Sequence, residues 1–497
     1  MCRFISAVVI FCLLFHNPIK GKCNDYVILN NIEQKSIPVD KYVYYLEDKN
    51  ANITIDSLLT NPQKYKFNRA QKKGLNYGFY DCVIWLKITI DNQSTLNKDF
   101  IFTIDYALLN DIRFYETING ILLRKTITGE NYIFDSRNIK DRAFTFHLNN
   151  FPLQKKTYYV RIYNDGETLR IPMEINSPVF DKELQDSSIM GLAIYYGYLL
   201  FSLLLNLLLI FSFKKRQYLY FGGFVLTFGL FIFIGDGYAF QYLWPNMPWL
   251  ANHSIIIITA IINFFMLAFA RDFLNFTGTL KRISNVLFAV FTVFFLLSFT
   301  NYPFYRYIVI FANTITAIMI VFIFCISIHY FRKKKSAYHL VFSLAFFFVM
   351  TGTFTHIFKN IGIIPINFIT QYAIKFGFIL QIVVLTFALI MKFKIDLTDI
   401  NITLEREVSE RTAEISAQRD ELSRHNLKIE QQSKEITDSI IYAKRIQSAI
   451  LPEKNKFSVY FKEHFIYFKP KNIVSGDFYW FAEKNGKIYI AVADCTG

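Results

Sequence analysis

The sequence has 497 residues, 53% hydrophobic and only 19% charged, with 54 phenylalanines and a formal net charge of +15. Such a composition excludes an ordinary soluble enzyme and asks for contact with lipid. The positive charge does not form a nucleic-acid-binding face, because Lys and Arg cluster beside long apolar runs, where they act as a membrane topology signal.

Residues 1–22 read as an export signal, with Arg3 as the positive region and an apolar stretch from Phe4 to Phe15 too short to span a bilayer. No small-x-small triplet precedes Asn24, so an uncleaved anchor is the alternative. The cysteines imply little chemistry. Cys23 and Cys82 could pair outside the cell, Cys325 lies in an apolar run and Cys495 near the last residue, and no CxxC or Cys/His cluster suggests zinc.

Residues 40–182 change character. Short β-branched and aromatic runs begin at Val83, Phe100, Asp111, Ile121, Ala143 and Thr157, separated by turn signals such as Asn119-Gly120 and Asn164-Asp165-Gly166. This spacing predicts an all-β sandwich. The ordered fragments Val43-Tyr44-Tyr45-Leu46-Glu47-Asp48, Tyr80-Asp81, Ile84-Trp85-Leu86, Ile104-Asp105-Tyr106 and Leu169-Arg170-Ile171-Pro172 carry a likeness. Together they resemble the second class of extracellular domain from bacterial seven-transmembrane receptors with diverse intracellular signalling modules. The resemblance implies a jelly-roll-like periplasmic sensor that binds a small molecule or carbohydrate. Trp85 is a weak candidate for stacking on a sugar ring; the competing expectation is that it fills the sandwich core.

Residues 187–392 hold seven runs long enough for a bilayer core of about 30 Å. They lie near 189–213, 218–235, 250–270, 283–300, 304–330, 337–358 and 369–391. Lys214-Lys215-Arg216, Arg271, Lys281, Arg282, Arg332 to Lys335, Lys392 and Lys394 all fall in alternate loops, and only Arg306 and Lys359 in the others. The positive-inside rule then puts the β-domain outside and the C-terminal part in the cytoplasm, in a multi-pass protein of the bacterial inner membrane. Tyr195-Tyr196-Gly197 and the segment Gly237 to Asn246 resemble the membrane domain of the same receptors. Tyr242, Trp244 and Trp249 equally suit an interfacial aromatic belt. A transporter is the weaker reading: Lys375 can snorkel from the outer end of the last span, Asn206, Asn263 and Asn313 suit interhelical hydrogen bonds, His356 stands alone, and no paired charges are expected.

Residues 393–452 predict a cytoplasmic coiled-coil signalling helix. Val408, Ile415, Leu422, Ile429, Ile436, Ala443 and Ile450 recur every seven residues, whereas of the companion positions Arg411, Gln418, His425, Gln432, Ser439 and Ile446 only the last is apolar. One good seam and one poor seam predict a marginal homodimer through residues 404–450, suited to switching; the alternative on periodicity is a passive solvated linker. Pro452 should end the helix.

Residues 453–497 carry the chemistry. Asn485-Gly486 between two β-like runs predicts a two-residue hairpin in which Lys484 faces Lys487 and, seven residues out, Asp477 faces Asp494. Two carboxylates that close call for a counter-ion, and a bridging pair of Mg²⁺ or Mn²⁺ ions would satisfy them; the alternative is that both are ordinary turn residues at strand ends. The run Asp438 to Gln447, then Phe468-Lys469-Pro470, Val474-Ser475-Gly476-Asp477 and Ala491 to Gly497 resemble the start of SpoIIE-like serine phosphatases of the metal-dependent PPM family. The resemblance implies Asp477, Asp494 and the backbone carbonyl of Cys495 as metal ligands and a cytoplasmic phosphoprotein as substrate. It also implies an α/β phosphatase domain truncated at Gly497, so that this chain alone would be inactive. The alternative expectation is a non-catalytic receptor that signals through its stalk to a partner.

Overall fold

The structure is a computed structural model that describes residues 26–30, 35–70, 74–79, 82–164, 168–300, 304–365 and 367–495. The expected export signal and Cys23 lie outside the described residues. Two compact units divide the chain, Met1–Lys392 and Phe393–Gly497.

The first unit opens with β1 (Val27–Leu29), β2 (Ser36–Ile37), α1 (Val39–Tyr42), β3 (Val43–Asp48), α2 (Ile55–Thr60), β4 (Asn68–Arg69), β5 (Gly74–Gly78), β6 (Val83–Asn92) and β7 (Lys98–Ile104). It continues through β8 (Asp111–Ile118), β9 (Ile121–Thr128), β10 (Phe144–Asn150), β11 (Gln154–Tyr163) and β12 (Leu169–Asn176). One sheet runs β4-β3-β6-β11-β8-β9, with β1 added parallel to β6; the other runs β10-β7-β12-β2, with β5 paired to β12. Side chains alternate across a strand, so Ile84, Leu86, Ile88 and Ile90 of β6 point between the sheets, against a core that includes Phe102, Phe114, Phe146 and Val160. Phe114 stacks on Phe146 at 4.6 Å between ring centroids. Val83 and Trp85 occupy the other face, beneath Ile55 and Leu58 of α2. Both faces of the first half of β6 are therefore covered, which is why Val83 to Leu86 reads as a continuous apolar run before the alternation sets in at Lys87.

Trp85 needs correcting as a ligand-stacking candidate. It is fully buried, stacked on Tyr115 at 5.7 Å, and offers no ring face to solvent. Nor does it lie between the sheets, as the core expectation had it; its cluster is the separate one under α2.

Strand β12 passes through Ser177 directly into α3 (Pro178–Phe213), whose first turn Ser177 caps by accepting from the Phe180 amide at 3.4 Å. There follow α4 (Arg216–Gly235), α5 (Tyr238–Tyr242), α6 (Pro248–Phe273), α7 (Gly278–Leu297), α8 (Phe304–Lys334), α9 (Ala337–Asn360) and α10 (Phe368–Ile450). Among the described residues, seven helices are long and apolar enough to cross a membrane: all of these except α5. The abundant phenylalanine has a packing role. Phe228 stacks on Phe378 at 3.6 Å and Phe273 on Phe342 at 4.6 Å inside the bundle, where dispersion rather than expulsion from water must hold helices together.

Helices α9 and α10 meet at glycines. A Cβ on Gly377 would lie 2.8 Å from the Phe348 carbonyl oxygen, and one on Gly352 would lie 2.7 Å from that of Ala373. Backbone cannot give way as a side chain can. Gly377→Leu should therefore lower the thermal midpoint of the detergent-solubilised protein, at a cost of about 1–3 kcal/mol or more. Gly191→Leu on α3, where a Cβ meets nothing within 4 Å, should leave the midpoint unchanged. Equal midpoints in the two variants would remove the crossing from the account.

The second unit comprises the remainder of α10 from Phe393, then α11 (Lys454–Tyr460), β13 (Asp477–Lys484) and β14 (Lys487–Asp494). Helix α10 ends two residues before Pro452, where a proline is expected to stop it. The seam residues Val408, Ile415, Leu422, Ile429 and Ile436 are each at least 60% exposed, so the seam has no cover among the described residues of one chain.

Candidate functional site

In the first unit, the β-domain is seated on the outer ends of the helices by polar contacts from several loops. Asn110 donates to the side-chain oxygen of Asn252 at 2.5 Å, and Asn252 donates to that of Asn131 at 3.0 Å. Arg306 donates to the Phe79 carbonyl at 2.6 Å, and Asn76 to the Lys359 carbonyl at 2.8 Å. Arg137 is the buried anchor. Its guanidinium lies among the rings of Phe134, Phe144 and Phe240 of α5, and donates to the Asp141 and Arg142 carbonyls at 2.7 Å each. Burial pushes its pKa down to about 10, which still leaves it charged at neutral pH. Trp244 packs into the same cluster with Phe134 and Phe240 instead of standing in an aromatic belt, whereas Tyr242 is exposed.

The outer end of the bundle also corrects the expectation of unpaired membrane charges. Lys375 of α10 donates to both carboxylate oxygens of Asp236, at 2.7 and 2.8 Å, and Tyr196 of α3 donates to the same carboxylate at 2.8 Å. Lys375 therefore does not snorkel away from the protein. Asp236 sits just past the end of α4 and is 139 residues from Lys375, so no local pattern reveals the pair. Asn263 makes the interhelical bond expected of it, donating to Thr316 of α8 at 2.8 Å, but Asn206 donates to Ser202 within its own helix. At the opposite end, Lys392 is buried and donates to the Phe273 carbonyl at 2.6 Å, a cation on the C-terminus of α6.

In the second unit the hairpin has the register that its turn dictates. Asn485 and Gly486 both have positive φ, 56° and 71°, the conformation an Asn-Gly turn adopts readily. Lys484 pairs with Lys487 and Asp477 with Asp494. The Cys495 amide donates to the Gly476 carbonyl at 3.1 Å, so Asp477 and Asp494 occupy a non-hydrogen-bonded position, where opposed side chains approach most closely. Both are exposed and line one cleft with Lys469 and His464.

One contact escaped sequence reasoning. Gln447, in the last turn of α10, pairs its side-chain amide with the peptide of Ser475. Its nitrogen donates to the Ser475 carbonyl, and its oxygen accepts from the Ser475 amide at 3.2 Å. The Ser475 hydroxyl in turn accepts from the Asp477 amide at 3.1 Å. The end of the stalk is thus tied to the first aspartate of the pair. The partners are 28 residues apart, and only the general habit of glutamine to pair with a peptide hinted at it.

Hard oxygen donors two abreast suit Mg²⁺ or Mn²⁺ in kind. Among the described residues, no group of three or more His, Cys, Asp or Glu side chains converges on a point that could hold a metal, so this pair would be part of a ligand set.

A β-domain seated on seven apolar helices defines a multi-pass membrane protein with an external N-terminal domain. Comparison with known families agrees. Residues 188–392 match the family model described as 7TM diverse intracellular signalling, and residues 40–177 match the one described as 7TMR-DISM extracellular 2. The chain therefore carries the external and the seven-helix domains of these transmembrane signalling receptors. No curated protein matches it.

Proposed function

We propose that this receptor couples periplasmic ligand sensing to metal-dependent hydrolysis of phosphoserine or phosphothreonine in the cytoplasm. The observation that carries the reading is the pairing of Asp477 with Asp494 at a close, non-hydrogen-bonded position of the hairpin. Motifs resembling the opening of SpoIIE-like PPM phosphatases surround both residues. Asp477, Asp494 and the Cys495 carbonyl would hold part of a two-metal site. Bound there, the metals would supply an activated water for in-line attack on a phosphate ester. Lys469, lining the same cleft, adds a cation suited to the phosphate.

The stalk is the regulatory part of the proposal. Its exposed apolar seam favours a homodimer through residues 404–450, and only one of the two seams is good, so the pairing is weak enough to shift. Gln447 would carry such a shift to Ser475 and so to Asp477.

The metal step is tested by titrating the purified full chain with Mn²⁺ and following free Mn²⁺ by electron paramagnetic resonance. The expected result is a binding event lost in both Asp477→Asn and Asp494→Asn. Unchanged binding in both variants would refute the site and leave a receptor that signals by contact alone.

A further inference from the structure

Between the β-domain and the outer helix ends lies a cavity of about 140 Å³, close to the volume of an engineered cavity that admits a benzene. Its wall is charged. Asp105 and Asp236 line it and are already engaged, Asp105 by Arg142 at 2.8 Å and Asp236 by Lys375 at 2.7 Å. Arg170 and Lys359 line the same space, and among the described residues neither has a carboxylate partner. Four cations against two carboxylates leave the wall two positive charges in excess.

These two cations are not loose surface groups. Arg170, on β12, is 8% exposed; its guanidinium packs on the Tyr106 ring at 4.2 Å, and among the described residues its Nε is buried without a hydrogen-bond partner. Lys359, in the last turn of α9, is 2% exposed, and among the described residues its ammonium reaches only the neutral side-chain oxygen of Gln371, at 3.4 Å. His356, one turn earlier, lines the same space. The Asn360 side-chain amide sits 3.0 Å from its Nε2, and among the described residues its Nδ1 is buried without a hydrogen-bond partner. Burying unpaired cations and unsatisfied donors costs stability unless something answers them. Arg170 and Lys359 supply donors and positive charge, so the missing partner is an acceptor with negative charge.

We propose that this cavity binds a small dianionic oxyanion, either phosphate or a short dicarboxylate. Two excess charges match a dianion better than the single charge of a phosphodiester lipid headgroup. The ligand would bridge β12, which continues through Ser177 into α3, to α9 and α10, so its arrival would tighten the β-domain on three helices. The inference rests on the proposed sensory role only in calling the anion a signal. Its test involves neither Asp477 nor Asp494, so either idea can fail alone.

The test is thermal unfolding of the detergent-purified full chain, titrated with potassium phosphate, potassium malonate, potassium chloride at matched ionic strength, or dihexanoyl phosphatidylglycerol. At least one dianion should give a saturable rise in midpoint, about 4 °C or more at a hundredfold excess over half-saturation, with no such rise from chloride or the lipid. Arg170→Gln and Lys359→Gln should each lose the rise, and Lys359→Gln should unfold no earlier than wild type without anion, because it removes an unanswered charge. Dianions no better than chloride, a lipid response equal to theirs, or a rise that survives in both variants would overturn the proposal. The wild-type titration decides it even if a variant does not fold.

Discussion

Asp236→Asn should destabilise the first unit by about 3–5 kcal/mol, the usual effect of removing one member of a buried ion pair. The substitution leaves the Lys375 ammonium, whose side chain is only 11% exposed, against the rings of Tyr195 and Tyr372 with no counter-charge. Tyr196 would also lose the carboxylate that accepts its hydroxyl at 2.8 Å. Removing both charges should cost far less than removing one, because the expense lies in the unanswered ion and not in the absence of the pair. Asp236→Asn combined with Lys375→Met should therefore recover most of the loss, measured as the midpoint of denaturant unfolding in detergent. A double variant as unstable as the single one would show that the pair is not what holds α4 to α10.

Trp85→Ala should cost about 3–5 kcal/mol, among the largest effects available from a single core truncation. The indole belongs to one buried cluster with Val83, Tyr115 and Tyr159 of the sheet and Ile55 and Leu58 of α2. Truncation should open residues 40–177 to trypsin at lower denaturant while leaving the helical bundle protected. Unchanged protease sensitivity would mean that the cluster under α2 contributes little to holding the sheet.

What could be read in advance follows from how far apart the partners lie. The hairpin is local: eighteen residues contain both strands and the turn, and a two-residue turn leaves one register, so the Asp477–Asp494 pairing was legible. The spans were legible because lipid demands long apolar runs. Trp85 was not legible, because a continuous apolar run shows that both faces are covered without showing what covers each. The Asp236–Lys375 pair and the cavity were hidden for a different reason. Arg170, Asp236, Lys359 and Lys375 lie on β12, past the end of α4, on α9 and on α10, and only the packing of the bundle beneath the β-domain brings them together. Read alone, Lys359 and Lys375 looked like ordinary charges near a membrane surface.

The central claim is that the aspartate pair does metal-dependent chemistry on a phosphate ester. Its most direct test is phosphate release from a phosphoserine peptide by membranes of cells carrying the gene at its own chromosomal locus, with and without Mn²⁺. The account predicts release that requires Mn²⁺ and falls by at least about 10²-fold in Asp477→Asn and in Asp494→Asn, the scale of losing an electrostatic contact to the transition state. Release that is indifferent to Mn²⁺ and unchanged in both variants would contradict it.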